Sequence, residues 1–274
     1  MLTDIAGTLT NKAFREDLPD VLARAADAGV GTVIVAGVST TTSRRGAEMA
    51  AGTGPVRLFA TSGIHPHHAS QASREALVEI AELAADPRVV AIGECGLDYN
   101  RDFSPRDAQR RAFEAQLEIA AERGLPVYLH ERDAHEDFAR ILTRWRPRLA
   151  GGVVHCFTGD GEALARYLDL DLHVGFTGWL CDERRGVHLR DLVRRVPRGR
   201  LMIETDAPYI LPRDLVPKPR SGRNEPAFVA HVARAVARCR DEPFEALALH
   251  TTEAAEAFFR LPRAELTRGP RGGS

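Results

Sequence analysis

The sequence predicts one (β/α)8 TIM barrel, an α/β fold in a single domain. Three observations point to it. Short apolar runs alternate with amphipathic stretches along the chain, eight times over, which is the pattern of a parallel sheet with crossover helices. Eight such units in about 250 residues match the length of a closed barrel. The alternative, an open doubly wound sheet, would carry a G-x-G-x-x-G turn after the first run, and none stands there.

Thr3–Leu9 reads as the first strand, with Asp4 early in it. Asp17–Gly29 follows as a helix: Leu18, Val21, Leu22 and Ala25 share one face, and Gly29 stops it. Gly31–Gly37 is the second strand and Thr40–Ala51 its helix. Val56–Thr61 is the third strand, running into Gly63-Ile64-His65-Pro66, with Ser73–Ala85 helical behind it. Val89–Ile92 is the fourth, an apolar run halted by Gly93 and followed at once by Glu94. The helix Pro105–Arg123 closes on Gly124. Strand five, Pro126–Leu129, ends at His130, and helix Ala134–Trp145 stops before Pro147. Strand six, Gly152–Val154, ends at His155; Glu162–Leu168 is a short helix. Leu172–Phe176 is strand seven, with helix Gly186–Val196. Strand eight, Leu201–Glu204, leads to Thr205-Asp206-Ala207-Pro208, and Pro226–Arg240 and Phe244–Phe259 are the closing helices. The barrel domain spans residues 1–261, and the Gly/Arg/Pro-rich segment 262–274 is expected to be a disordered tail.

Composition excludes several classes. With 44% hydrophobic and 27% charged residues, the chain has an ordinary globular balance and is long enough to bury a core without staples. It has no apolar run near the length of a membrane helix, and Met1-Leu2-Thr3-Asp4 lacks the basic and apolar regions of a secretory signal. Cys95, Cys156, Cys181 and Cys239 form no C-x-x-C pair. That argues against a zinc finger or disulfide framework and for a reducing cytoplasm. A monomer is expected. The formal net charge of −1 argues against coating long stretches of nucleic acid, but leaves room to grip one or two phosphates.

Five strand ends carry candidate ligands: His65, Glu94, His130, His155 and Asp206. A lone histidine at a strand end is ordinarily a packed core or loop residue. Together, in equivalent positions of one barrel, these groups converge on one mouth. Imidazole and carboxylate donors in combination suit Mg2+, Mn2+ or Zn2+. Such an ion acidifies water and polarises a phosphoryl or carbonyl oxygen, and Asp206 is suited to take the water's proton. His67, His68, His135, His173, His188, His231 and His250 fall largely on helices or loops and are assigned no role.

Six ordered segments resemble the successive signatures of the TatD family of metal-dependent deoxyribonucleases. They are Asp4-Ile5, Gly63-Ile64-His65-Pro66, Ala91-Ile92-Gly93-Glu94-Cys95-Gly96-Leu97-Asp98, Leu129-His130-x-Arg132-Asp133, His155-Cys156-Phe157-Thr158-Gly159 and Ile203-Glu204-Thr205-Asp206-Ala207-Pro208-Tyr209. The Asn224-Glu225-Pro226 turn fits as well, and the likeness runs from about Thr3 to Phe259. It implies an amidohydrolase-like barrel, a divalent metal and hydrolysis of phosphodiesters, as a 3′→5′ exonuclease on single-stranded DNA, with RNA as a further substrate. By motif, Glu94, His130 and His155 would be metal ligands, Asp206 would bind the metal or its water, and His65 would face the scissile phosphate. The family's Asp-x-His-x-His opening is absent. Ala6 and Thr8 stand where its histidines would be, so the chain resembles the subgroup that lacks the pair. One well-held ion at Glu94, His130 and His155 is therefore expected, with Mg2+ favoured because it leans on substrate phosphates. A second, weaker ion would be shared by Glu94, Asp206 and substrate oxygens.

Between Leu211 and Asn224 the chain is rich in proline and cations. Arg213, Lys218, Arg220 and Arg223 are expected to face a phosphate backbone there. Arg213 and Arg223 are the expected substrate-binding residues, with Trp179 stacking a terminal base, a contact worth roughly 1–3 kcal/mol. The expected partners are single-stranded DNA or RNA ends, and no membrane. Two other functions stay open from residue types alone: an ester or amide hydrolase on the same barrel, such as an aminoacyl-tRNA deacylase, and a catalytically silent barrel that binds nucleic acid.

Overall fold

A computed structural model describes residues 1–262. From residue 263 on, the expected tail lies outside the described residues. Eight strands form one sheet: β1 (Leu2–Gly7), β2 (Val30–Val35), β3 (Arg57–Ser62), β4 (Val89–Asp98), β5 (Val127–Arg132), β6 (Gly152–Val154), β7 (His173–Phe176) and β8 (Leu201–Ile203). Each strand pairs in parallel with the next, in sequence order. An order that never reverses has no topological switch point, so the doubly wound alternative is excluded. The helices lie between successive strands or after β8: α1 (Leu18–Asp27), α2 (Thr40–Ala50), α3 (Arg74–Leu83), α4 (Arg106–Arg123), α5 (His135–Trp145), α6 (Gly161–Asp169), α7 (Val187–Arg195), α8 (Val229–Arg240) and α9 (Phe244–Phe258). One apolar cluster, including Ile5, Ile34, Tyr128, Val153 and Met202, is made chiefly of strand residues. A larger one takes the other face of the strands and the inner faces of the helices, such as Phe138, Ile141 and Leu142 of α5.

Two strands run further than their apolar cores. β4 continues through Glu94 to Asp98, where the sequence suggested a stop at Ile92, and β5 continues through His130 to Arg132. The glycines explain the difference. Gly93 and Gly96 have φ of +142° and +143°. A Cβ at Gly93 would sit 2.1 Å from the Tyr128 carbonyl oxygen, and one at Gly96 would sit 1.9 Å from that of His130. Gly93, which reads as a strand breaker, and Gly96 in fact let β4 lie close against β5. Glu94 and Asp98 are thereby carried on the strand itself.

Asp4 joins the two ends of the sheet. Its carboxylate accepts the Thr205 amide at 2.9 Å, the Thr205 hydroxyl at 2.6 Å and the Ala6 amide at 3.2 Å. Alongside, the Asp206 amide donates to the Ala6 carbonyl at 2.9 Å and the Thr8 amide to the Ala207 carbonyl at 2.8 Å. These bonds bring the segment after β8 against β1 and set Asp206 beside the mouth.

Burial pushes the Asp4 carboxyl from 3.8 up to about 7, against the pull of its hydrogen bonds from Thr205 and Ala6. A carboxyl raised in the folded state stabilises below its ordinary value and loses that contribution as pH rises through the folded one. Stability should thus fall between about pH 4 and 7 with a slope of up to roughly 1.4 kcal/mol per pH unit from this group. Asp4→Asn should flatten that fall in urea denaturation measured across the range. Parallel wild-type and variant curves would show that Asp4 is not the group responsible.

Candidate metal centre

Glu94 is the hub of the mouth. Its Oε1 lies 2.8 Å from His155 Nε2, 2.9 Å from His130 Nδ1 and 3.1 Å from His65 Nε2. The four side chains come from β4, from the start of the loop after β6, from β5 and from the turn after β3, so the sheet order assembles them. Burial alone would lift the Glu94 carboxyl. The charge of His155, with hydrogen bonds from His130 and His155, holds it well below the usual carboxylate range. Burial opposes protonation of His155, yet Glu94 and Glu204 raise it well above an ordinary imidazole, and Asp98 and Glu94 likewise raise His130.

The donor set fits a divalent cation. Three imidazole nitrogens crowd one carboxylate oxygen, which has two lone pairs to offer. A shared cation resolves that crowding by taking nitrogen and oxygen donors together. The 2.8–3.1 Å separations match the roughly 3.0 Å edge between neighbouring donors of a six-coordinate ion with bonds near 2.1 Å. His130 Nε2 and His155 Nδ1 are buried without a hydrogen-bond partner.

His65 differs from the other two. Its Nδ1 accepts the His67 amide at 3.1 Å, so in the neutral ring the proton sits on Nε2, pointing at Glu94. Burial lowers its pKa to about 4, so the ring is neutral at working pH. In that tautomer the Nε2–H is a hydrogen-bond donor for an anion. By distance His65 groups with Glu94 and His130, and His155 Nε2 lies 2.8 Å from the same Glu94 oxygen. Asp206 is the remaining group of the constellation. Burial lifts its carboxyl to about 8, with His155 opposing and Glu94 and Glu204 reinforcing the rise. Ala6 is buried on β1 and offers only its backbone carbonyl.

Sequence reasoning passed over three participants. Asp98, four residues along β4 from Glu94, lies 2.6 Å from His67 Nε2 and 3.5 Å from His130 Nε2. His67, set aside as a loop residue, therefore orients Asp98. Glu204 is fully buried, with Oε2 3.6 Å from His155 Nδ1 and both atoms otherwise unpartnered. It faces His155 Nδ1, the ring nitrogen that is not turned to Glu94. Strand period was the available signal for Asp98, since residues four apart share a face.

The substrate side divides the expected residues. Arg213 is partly exposed, 3.7 Å from Asp182 and 3.6 Å from Glu183. Trp179 is flanked by Arg132 and Arg185, whose guanidinium carbons lie 5.9 and 5.2 Å from a ring centroid. A cavity of about 140 Å3 beside them is lined by Arg132, Thr158, Trp179, Arg185 and His188, among others. Arg223, expected at a phosphate, is instead turned inward. It donates to Asp17 at 2.6 and 2.9 Å, to Glu225 at 2.7 Å and to the Ala13 carbonyl. Phe103 and Tyr209 are exposed aromatics near this mouth, Phe103 edge-on to His67 at 4.7 Å and Tyr209 close enough to feel the Asp206 charge.

A parallel barrel with imidazoles and carboxylates gathered at its strand ends defines a metal-dependent hydrolase. The family described as TatD related DNase matches residues 3–260, and the chain belongs to it. The 3'-5' ssDNA/RNA exonuclease TatD of Erwinia billingiae (strain Eb661) is 49% identical over 259 residues, covering 94% of this chain and 99% of that protein. The protein of the same name from Pantoea sp. (strain At-9b) is 48% identical over 258 residues, covering 94% and 99%. Among solved structures, YJJV, a TatD homolog from Escherichia coli k12, has a TM-score of 0.87 at 30% identity, covering 95% of this chain and 98% of that one.

Ion binding to the folded state should raise thermal stability by about 2.7 kcal/mol when the free ion is a hundredfold above its Kd. Differential scanning calorimetry should show that rise with Mn2+ in the wild type and not in Glu94→Ala; an equal rise in both would place the ion elsewhere. Arg223→Ala should lower stability by roughly 1–3 kcal/mol through the carboxylates it leaves unpaired. Its salt dependence of DNA binding should stay at the wild-type slope, and a flattened slope would return Arg223 to the phosphate.

Proposed function

We propose that this chain is a divalent-metal-dependent nuclease that shortens single-stranded DNA or RNA from the 3′ end. The observation that carries the proposal is the hub at Glu94, where three imidazoles meet one carboxylate oxygen. The relatives named 3'-5' ssDNA/RNA exonuclease, at 48–49% identity over nearly the whole chain, support the substrate class and the polarity.

In this reading Glu94, His130 and His155 hold the ion, and Asp206 is a further ligand or the base beside it. When bound, the ion polarises a phosphoryl oxygen and acidifies water. Mg2+ is the ion proposed, because it binds partly through substrate phosphates. His65 donates its Nε2–H to a non-bridging oxygen of the scissile phosphate. Asp206 accepts the proton of the attacking water; beside a cation its carboxyl falls from about 8 into the range of a base. Glu204 orients His155, and Asp98 orients His130. Arg213 grips the backbone, and Trp179, between Arg132 and Arg185, offers a stacking face to a base.

Without histidines at residues 6 and 8, one tight ion is proposed in the substrate-free mouth, with a second completed only by substrate oxygens. A monomer in a reducing cytoplasm completes the reading. The four cysteines are free, and no helix among the described residues is long and apolar enough to cross a membrane.

The test uses single-stranded oligonucleotides labelled at the 5′ or the 3′ end, with Mg2+, Mn2+ or EDTA. A metal-dependent ladder shortening from the 3′ end is expected. Asp206→Asn should lower kcat by about 100-fold or more while DNA affinity stays near the wild-type value; near-normal turnover would remove Asp206 from the chemistry. Arg213→Ala should lower the salt slope of binding by about one, and an unchanged slope would remove Arg213 from the phosphate. Two tight Mn2+ sites in the substrate-free mouth would overturn the one-ion reading.

A further inference from the structure

A second group of metal-binding side chains lies outside the Glu94 mouth. Cys181 ends the short turn after β7 (Gly178–Cys181), Asp214 lies in the loop after β8, and His231 is in the first turn of α8. One donor atom from each falls within 4.8 Å of the others. The three segments are far apart in sequence, and the fold brings a thiol, a carboxylate and an imidazole to one point.

The details fit a site more closely than chance proximity would. His231 Nε2 is 2.7 Å from Asp214 Oδ1. Cys181 is 2% exposed, and its sulfur lies within 4.8 Å of a carboxylate oxygen of Asp214. The Asp214 and His231 side chains are 44% and 22% exposed, which leaves a solvent path to the point where the three meet. A tetrahedral zinc ion with bonds near 2.0–2.3 Å needs donors roughly 3.3–3.8 Å apart. The cluster therefore closes on such an ion with small side-chain rotations. Sulfur, nitrogen and oxygen donors together select a borderline-soft ion and disfavour Mg2+, which takes oxygen.

We propose that Cys181, Asp214 and His231 form a second metal site, for Zn2+ or a cation of its class, with water as the fourth ligand. The ion clasps the loop after β8 to the turn after β7 and to α8. As it binds, the sulfur–metal bond forms and the Cys181 S–H proton passes to solvent, so no oxidant or reductant is involved. The clasp has a positional consequence. Asp214 follows Arg213, and Cys181 lies between Trp179 and Asp182. Holding 181 and 214 together fixes the substrate-side arginine relative to the tryptophan.

Cobalt separates this site from the mouth, because only a thiolate ligand gives a sulfur-to-cobalt charge-transfer band in the near ultraviolet. The reduced full-length protein, titrated with Co2+, should develop that band, and added Zn2+ should bleach it. Glu94→Ala should keep the band, which makes the result independent of the nuclease reading. Cys156→Ser and Cys239→Ser should keep it too. Cys181→Ser should lose it. His231→Gln, which leaves the thiol in place, should weaken Co2+ binding by at least the roughly 10–100-fold seen when an outer partner of a metal is lost. Circular dichroism of each variant checks that the barrel is folded. A wild type without the band, a band that survives Cys181→Ser, or one lost in Glu94→Ala would overturn the proposal.

Discussion

The mouth of this barrel is governed by one buried carboxylate. Glu94 is ionised in a place that desolvation disfavours by several kcal/mol, and it is tolerable there because three imidazoles surround one of its oxygens. Carboxylates stand behind two of the imidazoles, Asp98 3.5 Å from His130 Nε2 and Glu204 3.6 Å from His155 Nδ1. The arrangement holds more donors than hydrogen bonding can satisfy, and a cation is what such an excess accommodates. Charge then decides the remaining roles. His65, with its Nδ1 already occupied, stays neutral as a donor, while burial, reinforced by the charges of Glu94 and Glu204, raises the Asp206 carboxyl.

The scaffold meets that constraint through backbone geometry. Glu94 and Asp98 share a strand that approaches its neighbour too closely for any side chain at residues 93 and 96. Asp4 secures the opposite seam, holding Thr205 and so placing Asp206. The buried acid that shapes β1 is therefore structural, while the position two residues on, Ala6, brings only its backbone amide and carbonyl to the same seam. Loss of ligands on β1 leaves the β4–β5–β6 hub intact because the two draw on different strands.

On the substrate side, ion pairing sorts residues that composition makes equivalent. Arg213 and Arg223 lie ten positions apart in one cationic loop. Arg223 is consumed by Asp17 and Glu225 and lies over the Phe14 ring at 4.8 Å, so it ties the loop to the start of α1. Arg213 meets its carboxylates at longer range and keeps solvent access. With Cys181, Asp214 and His231 converging beside it, the loop is tied at both ends, which suits an element that must present a cation in a fixed place.

The sequence alone determined the barrel, because strand and helix periods are local properties of the chain and eight repeats of them admit few architectures. It also pointed to His65, Glu94, His130 and His155 as neighbours and to the expectation of a metal, because polar groups at successive strand ends converge in any parallel barrel. Tertiary structure decided the rest. Asp98 and Glu204 read as ordinary acids until the fold sets them behind imidazoles, and His67 reads as a loop residue until Asp98 is seen beside it. Gly93 reads as a strand end until its contact distance with β5 is known. Arg223 looks free in the sequence because its partners are 206 and two residues away. Hydrogen bonding and charge pairing act through space, and periodicity along the chain carries no record of which distant carboxylate an arginine meets.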